Sequence, residues 1–237
     1  MKKMFMAVIA LMMTISASAQ FYIYCSNGNV IKVDSISMIA PDEPVNNGHE
    51  YVDLGLSVKW ATCNVGASKP EEYGDYFAWG ETQPKDYYYW STYKWCNGSY
   101  DTLTKYNTNS SYGTVDNKTT LDLSDDAARA NWGGSWRMPT SAEKDELRSN
   151  CTWTWSKING VEVYKVTSNI NGNFILLPAA GYRDENYLRS AGCGCYWSSS
   201  LGTDHPLDAY SMYFNSSSVD WYNNSRYYGQ SVRPVCP

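Results

Sequence analysis

Asn131-Trp132-Gly133-Gly134-Ser135-Trp136-Arg137-Met138-Pro139-Thr140-Ser141-Ala142-Glu143 is the stretch on which the fold turns. Two boundary signals lie inside it. Gly133-Gly134 is a glycine stop that ends a helix, and Thr140-Ser-Ala-Glu143 is a capping box that opens the next one. Upstream, Ser124 is placed to cap a helix over 125–131, with Asp125 and Asp126 in the first turn where the helix dipole favours acids. Downstream, the capping box starts a helix that runs to about Asn150, with Leu147 as its apolar contact. Two short helices joined by a tryptophan-rich connection are therefore expected.

Short β-prone runs surround this pair. Tyr51 to Trp60 gives two strands broken at Gly55, and Asp75 to Gly80 gives another. Strands are also expected at 164–167, 173–178, 196–199, 209–214, 218–222 and 229–235, and the run to Pro178 is apolar enough to be central. From Glu81 to Thr120 the chain is rich in Tyr, Asn, Thr, Ser and Gly with little periodicity. That is a long structured surface excursion, the kind of loop that carries function or irregular structure of its own.

At the N-terminus, Lys2 and Lys3, the apolar run Met4–Ile15 and Ala17-Ser18-Ala19 read as a secretory signal cleaved after Ala19. The apolar run is shorter than the roughly 20 residues that cross a bilayer, so no membrane insertion is expected. Phe21–Cys25 and Val30–Val33 flank Ser26-Asn-Gly-Asn29, a strong hairpin signal, and 34–39 offers a third strand. Pro41 to Gly48 is a linker by composition. The division is a signal peptide over 1–19, a β-hairpin leader and linker over 20–48, and a main domain over 49–237. The expected location is secreted, cell-surface or periplasmic.

Charge excludes two classes of partner. Without residues 1–19 the chain keeps 17 basic against 24 acidic side chains, a net −7. Nucleic acids and anionic membranes need concentrated positive charge, so neither is an expected partner. Seven cysteines (25, 63, 96, 151, 193, 195 and 236) in an exported chain point to disulfides, and the odd count leaves at least one thiol over. Their pairing is not readable. Cys193 and Cys195 share one face of an extended run, where a bridge between them is sterically poor, so different fates are expected for the two.

The C-terminal stretch carries the candidate binding surface. Between Tyr196 and Gln230 nine aromatics and eight serines fall in 35 residues, with one arginine and no lysine. Rigid aromatics mixed with small hydrogen-bonding side chains are the make-up of recognition surfaces. The residues expected to meet a ligand are Asp204, His205, Leu207, Asp208, Ser211, Ser218, Asp220, Trp221, Tyr222, Asn223, Asn224 and Gln230. Trp221 and Tyr222 supply anchor area, and the Asp and Asn side chains supply hydrogen-bond specificity. Individual aromatics also suit a β-rich core, and Trp132, Trp136, Trp197 and Arg233 are assigned to that frame.

The motif 131–143 resembles the Trp-Arg-Leu-Pro-Thr-x-x-Glu-Trp signature of the formylglycine-generating-enzyme-like branch of the C-type lectin fold. Leu177-Pro-Ala-Ala-Gly-Tyr-Arg183, Tyr196-Trp-Ser-Ser-Ser200 and Ser231-Val-Arg-Pro-Val235 follow in the family's order. With Tyr51–Leu56 and Trp60–Gly66 they resemble the Fibrobacter succinogenes major paralogous domain group, common in exported Bacteroides-type proteins. The resemblance covers roughly residues 50–237 and departs from the signature at Lys144, where Trp is usual. It implies an α+β, C-type lectin-like fold with two short helices, small antiparallel sheets and long structured loops, in which the terminal strands pair. It further implies a non-catalytic binding protein for an extracellular protein or glycan. A related resemblance is to variable proteins of diversity-generating retroelements, whose exposed residues before the last strand are diversified. The alternatives are a structural or adhesin subunit of a surface or fimbrial assembly, and a formylglycine-type oxidase.

Catalytic chemistry finds little support in the residues. Cys193 and Cys195 do not match the oxidase's cysteine motif. His49 and His205 have no ligand or triad partner in recognisable spacing and read as surface residues. Ser198–Ser200 lacks the Gly-x-Ser-x-Gly turn of a hydrolase. The lectin calcium motifs Glu-Pro-Asn, Gln-Pro-Asp and Trp-Asn-Asp do not occur. No cofactor, metal or catalytic residue is expected.

Overall fold

The computed structural model describes the backbone of residues 21–24 and 30–33 and, with side chains, residues 47–202 and 205–237. The signal segment, the turn at 26–29, the third strand at 34–39, most of the linker, Cys25 and Asp204 lie outside the described residues. Contacts divide the chain into two units between Glu43 and Pro44. In the first, β1 (Phe21–Tyr24) and β2 (Val30–Val33) pair antiparallel, with Tyr24 opposite Val30.

The second unit is α+β, mostly small antiparallel sheets with few helices. Its elements are β3 (Tyr51–Val52), β4 (Lys59–Ala61), α1 (Ala127–Trp132), α2 (Ser141–Asn150), β5 (Cys151–Ile158), β6 (Val161–Ser168) and β7 (Phe174–Pro178). There follow β8 (Tyr182–Asp184), β9 (Tyr187–Arg189), β10 (Gly194–Leu201), β11 (Asp208–Phe214), β12 (Val219–Ser225) and β13 (Val235–Cys236). The sheets are β13-β4-β3, β5-β6-β7, β8-β9 and β10-β11-β12. β13 pairs with β4 as expected, with Val235 opposite Trp60 and Cys236 opposite Lys59.

Both helices form where the sequence places them, with one corrected cap. Asp126, not Ser124, starts α1: one carboxylate oxygen accepts the Arg129 N–H at 3.0 Å and the other accepts Met138 N–H at 2.7 Å. A serine two residues earlier cannot serve both partners, and 123–125 instead form a single 3-10 turn. The α2 capping box is complete, since Thr140 accepts from Glu143 N–H at 3.2 Å and Glu143 accepts from Thr140 N–H at 2.8 Å. Lys144 is 1% exposed and donates from Nζ to the Tyr196 carbonyl at 2.5 Å. Burial drives its pKa well below the ordinary lysine value.

Two expected strands are largely absent. Across 75–80 only Phe77 bridges, to Gln230; Trp79 N–H then turns to the Arg226 carbonyl at 2.8 Å, and Gly80 at φ 78° bends the chain away. Across 229–235 the chain makes isolated bridges from Gly229, Gln230, Ser231 and Val235 to four different segments. Such a segment ties surrounding loops together instead of extending one sheet. Conversely, β5 is a strand that the expected set lacks. Its Thr152-Trp153-Thr154-Trp155 alternation and the Asn159-Gly160 turn, both residues at positive φ (50° and 85°), are ordinary hairpin signals.

The core lies on both faces of β10 and β11. Tyr196, Met212 and Phe214 join Leu147, Val166 and Leu177 on one side. Trp197, Leu201 and Ala209 join Trp79, Tyr106 and Trp136 on the other. Period-2 alternation therefore sends neighbouring residues into different clusters. Trp132, Trp136, Trp197 and Arg233 are all buried, as assigned. The excursion has a small core of its own from Tyr88, Tyr93, Cys96 and Leu103. The six described cysteines are free thiols, so the expected disulfides are not found among them. Cys236, Cys151 and Cys96 each belong to a different cluster, which keeps them apart.

Candidate ligand-binding surface

The β11–β12 hairpin carries eight of the twelve expected ligand residues, of which Asp220, Tyr222 and Asn223 are exposed. Its turn is set by Asn215, whose side-chain oxygen accepts the N–H groups of Ser217 at 2.8 Å and Ser218 at 3.1 Å. From there Asp220 lies opposite Tyr213, Trp221 opposite Met212, Tyr222 opposite Ser211 and Asn223 opposite Tyr210. Residues directly opposite share a face. Trp221 turns toward the core beside Met212, and its indole N–H donates to the Asp145 carboxylate of α2. Tyr222 turns the other way, is 50% exposed, and meets the Tyr213 ring edge-to-face at 5.0 Å. Asp220 is exposed on the same face, and Asn223 is exposed on the opposite one, the face of Trp221. β12 is thus an edge strand anchored by one aromatic and presenting another.

The other end of the hairpin is a separate place. Fully extended, β11 spans about 20 Å at ~3.4 Å per residue. There His205 Nε2 lies 2.7 Å from the Tyr112 hydroxyl, and Leu207 packs on the excursion's core. Asp208 accepts from Ser225 at 3.3 Å, and burial raises its carboxyl pKa. Asn224, opposite Ala209, is half-buried. None of these four is openly displayed.

Ser211 and Gln230 leave the binding surface altogether. Both are 0% exposed, and the serine hydroxyl donates to the glutamine carbonyl oxygen. Ser211 shares the face of Trp197, which the 226–231 segment covers through the Phe77–Gln230 bridge. The pair braces the sheet from within.

Arg226 is the least obvious member of the stretch. Its side chain is 0% exposed. Nε donates to the Tyr93 hydroxyl at 2.9 Å, and the terminal nitrogens donate to the carbonyls of Tyr106 (2.9 Å), Pro206 (2.9 Å) and Lys105 (3.0 Å). The guanidinium also lies over the Trp79 and Tyr93 rings at 5.1 and 5.3 Å. One cation therefore joins the C-terminal stretch, the 206 loop and the excursion.

A set of tyrosines outside the expected residues adjoins it. Tyr89 and Trp90 of the excursion meet Tyr227 at 5.3 and 5.1 Å, Tyr227 meets Tyr228 at 4.6 Å, and Tyr228 meets Tyr182 at 4.9 Å. Tyr87 and Tyr89 are 40% and 42% exposed. The run Tyr87-Tyr88-Tyr89-Trp90 is visible in the sequence, whereas its meeting with Tyr227 is not.

The reactive side chains are held in packing roles. Burial pushes the Cys195 thiol up to about 12, so it stays protonated at neutral pH, while half-buried Cys193 takes a hydrogen bond from the Tyr213 hydroxyl at 3.2 Å. Both are free thiols, so the different fates expected for them are not found, and they differ in burial. His49 is not a free surface residue: its ring stacks on Trp132 at 3.8 Å and 4°, and burial lowers its pKa. Among the described residues no three His, Cys, Asp or Glu side chains converge as a metal cluster. Set against known proteins, the chain matches no family model, no curated protein and no solved structure.

Proposed function

We propose that this chain is an exported, non-catalytic binding protein of C-type lectin-like build, which recognises an extracellular protein or glycan with the outer face of its β11–β12 hairpin. The observation that carries the reading is the pairing of a half-exposed Tyr222, braced by Tyr213, with exposed Asp220 on the same face of a strand pinned from behind by Trp221, while Asn223 is exposed at the strand's other face. A braced tyrosine loses little rotamer freedom when it is covered, and its polar neighbours supply direction. Pairing of the terminal strands and the two capped helices support the lectin-like build. The resemblance to retroelement-diversified proteins is consistent with display on β12, because changes at 220, 222 and 223 leave the core untouched.

The test is capture on glycan and surface-protein arrays by the wild type and by Tyr222→Ala. Loss of the exposed aromatic is expected to weaken capture by about 2 kcal/mol, roughly 30-fold, with an unchanged melting temperature. Equal capture by both proteins sinks the assignment of this face.

A further inference from the structure

A second site lies away from β12, between the excursion and the β8–β9 hairpin. It is a pocket of about 330 Å³ lined by Asp75, Tyr76, Pro84, Lys85, Asp86, Tyr88, Arg183 and Asn186. Backbone bonds fix both walls. Tyr88 and Glu185 exchange N–H···O bonds at 2.9 and 2.8 Å, and Arg183 and Gly229 do the same at 2.7 and 3.0 Å. Gly229 has a packing reason to be glycine, since a Cβ there would meet the Tyr88 ring at 2.6 Å.

Several lining groups are already committed. The Tyr76 hydroxyl donates to the Ala180 carbonyl at 2.6 Å and the Tyr88 hydroxyl to the Tyr76 carbonyl at 2.6 Å. Lys85 Nζ donates to Glu81 and to the Thr92 carbonyl, both at 2.9 Å. Three charged groups are left over. Among the described residues the Arg183 guanidinium has no hydrogen bond or ion pair and only rests over the Tyr76 ring at 5.2 Å. The carboxylates of Asp75 and Asp86 likewise have no hydrogen-bond partner there.

We propose that this pocket binds a neutral polyhydroxylated ring, a sugar unit of one or two rings. Two free carboxylates accept hydroxyl protons, and the guanidinium and the Asn186 amide donate to hydroxyl and ring oxygens. An anion meets the two aspartates, and a cation meets Arg183 and Lys85. An uncharged ligand with many hydroxyls satisfies both signs at once. The volume is at the small end of ligand pockets, about 300–1,000 Å³. This site shares no residue with the β12 face, so either assignment can fail alone.

Saturation-transfer NMR with the methyl glycosides of glucose, mannose, galactose and xylose tests it, alongside glycine betaine and methyl glucuronide as charged probes. At least one neutral glycoside is expected to bind. Its affinity is expected to fall about 10-fold in Arg183→Gln and in Asp86→Asn, the loss of one charge-assisted hydrogen bond, and to stay unchanged in Tyr222→Ala. Asp86 is exposed and its carboxylate makes no hydrogen bond or ion pair among the described residues, so its variant reads binding rather than folding. No binding by any neutral glycoside, binding indifferent to Asp86→Asn, or preference for a charged probe overturns the proposal.

Discussion

Replacing Arg226 by lysine removes a planar fork and leaves a point charge. The guanidinium makes four hydrogen bonds, to Tyr93, Tyr106, Pro206 and Lys105, at 2.9–3.0 Å from a fully buried position. An ammonium cannot reach acceptors that lie on three segments around a plane, so at least two buried acceptors lose their partner. At about 1–3 kcal/mol for each unsatisfied group, the loss is roughly 3–5 kcal/mol, the range found when a buried charge loses its partners. For a domain of this size each kcal/mol lowers Tm by about 2–4 °C, so a fall of about 6–20 °C is expected. The assay is thermal unfolding followed by near-UV circular dichroism, because Trp79, Tyr93 and Tyr106 pack around the cation. Trypsin cleavage after Lys105, whose carbonyl is released, is a second readout. A Tm within about 2 °C of wild type, with Lys105 still protected, would refute the reasoning.

The remaining predictions are shorter. Burial lowers the folded pKa of Lys144, so the unfolded chain binds the extra proton between that value and the ordinary lysine range. Stability should therefore rise with pH across that window and be lost as pH falls through it. Lys144→Met should flatten the rise in Tm from about pH 8 to about pH 10, and equal slopes in the two proteins would rule the account out. Thr140→Ala removes the α2 cap and should cost about 1 kcal/mol, read as a Tm drop of about 2–4 °C, without altering capture on arrays. If the retroelement resemblance holds, a near-copy of codons 196–230 lies beside a reverse transcriptase, with adenine mismatches at 220, 222 and 223. The codons of buried Ser211 and Gln230 should match in that copy, and mismatches concentrated there would contradict the surface assignment.

Local chemistry makes part of this protein legible in the amino-acid sequence alone. Gly133-Gly134, the Thr140–Glu143 capping box and Leu147 announce both helices because helix ends are satisfied by residues only a few positions away. The same applies to β6, β7, β10, β11 and β12, and Asn215 and Asn159-Gly160 are turn signals of equally short range. Composition also picks out the stretch that holds the exposed Tyr222, Asp220 and Asn223. What composition cannot do is sort that stretch into surface and core. Ser211, Gln230 and Arg226 are polar, as ligand residues are, yet each is buried against partners 19 to 133 positions away. Lys144 is buried for the same kind of reason, a carbonyl 52 positions away. A buried polar side chain is held in the interior by the hydrogen bonds it makes there, and those partners come from segments that only the tertiary fold brings together.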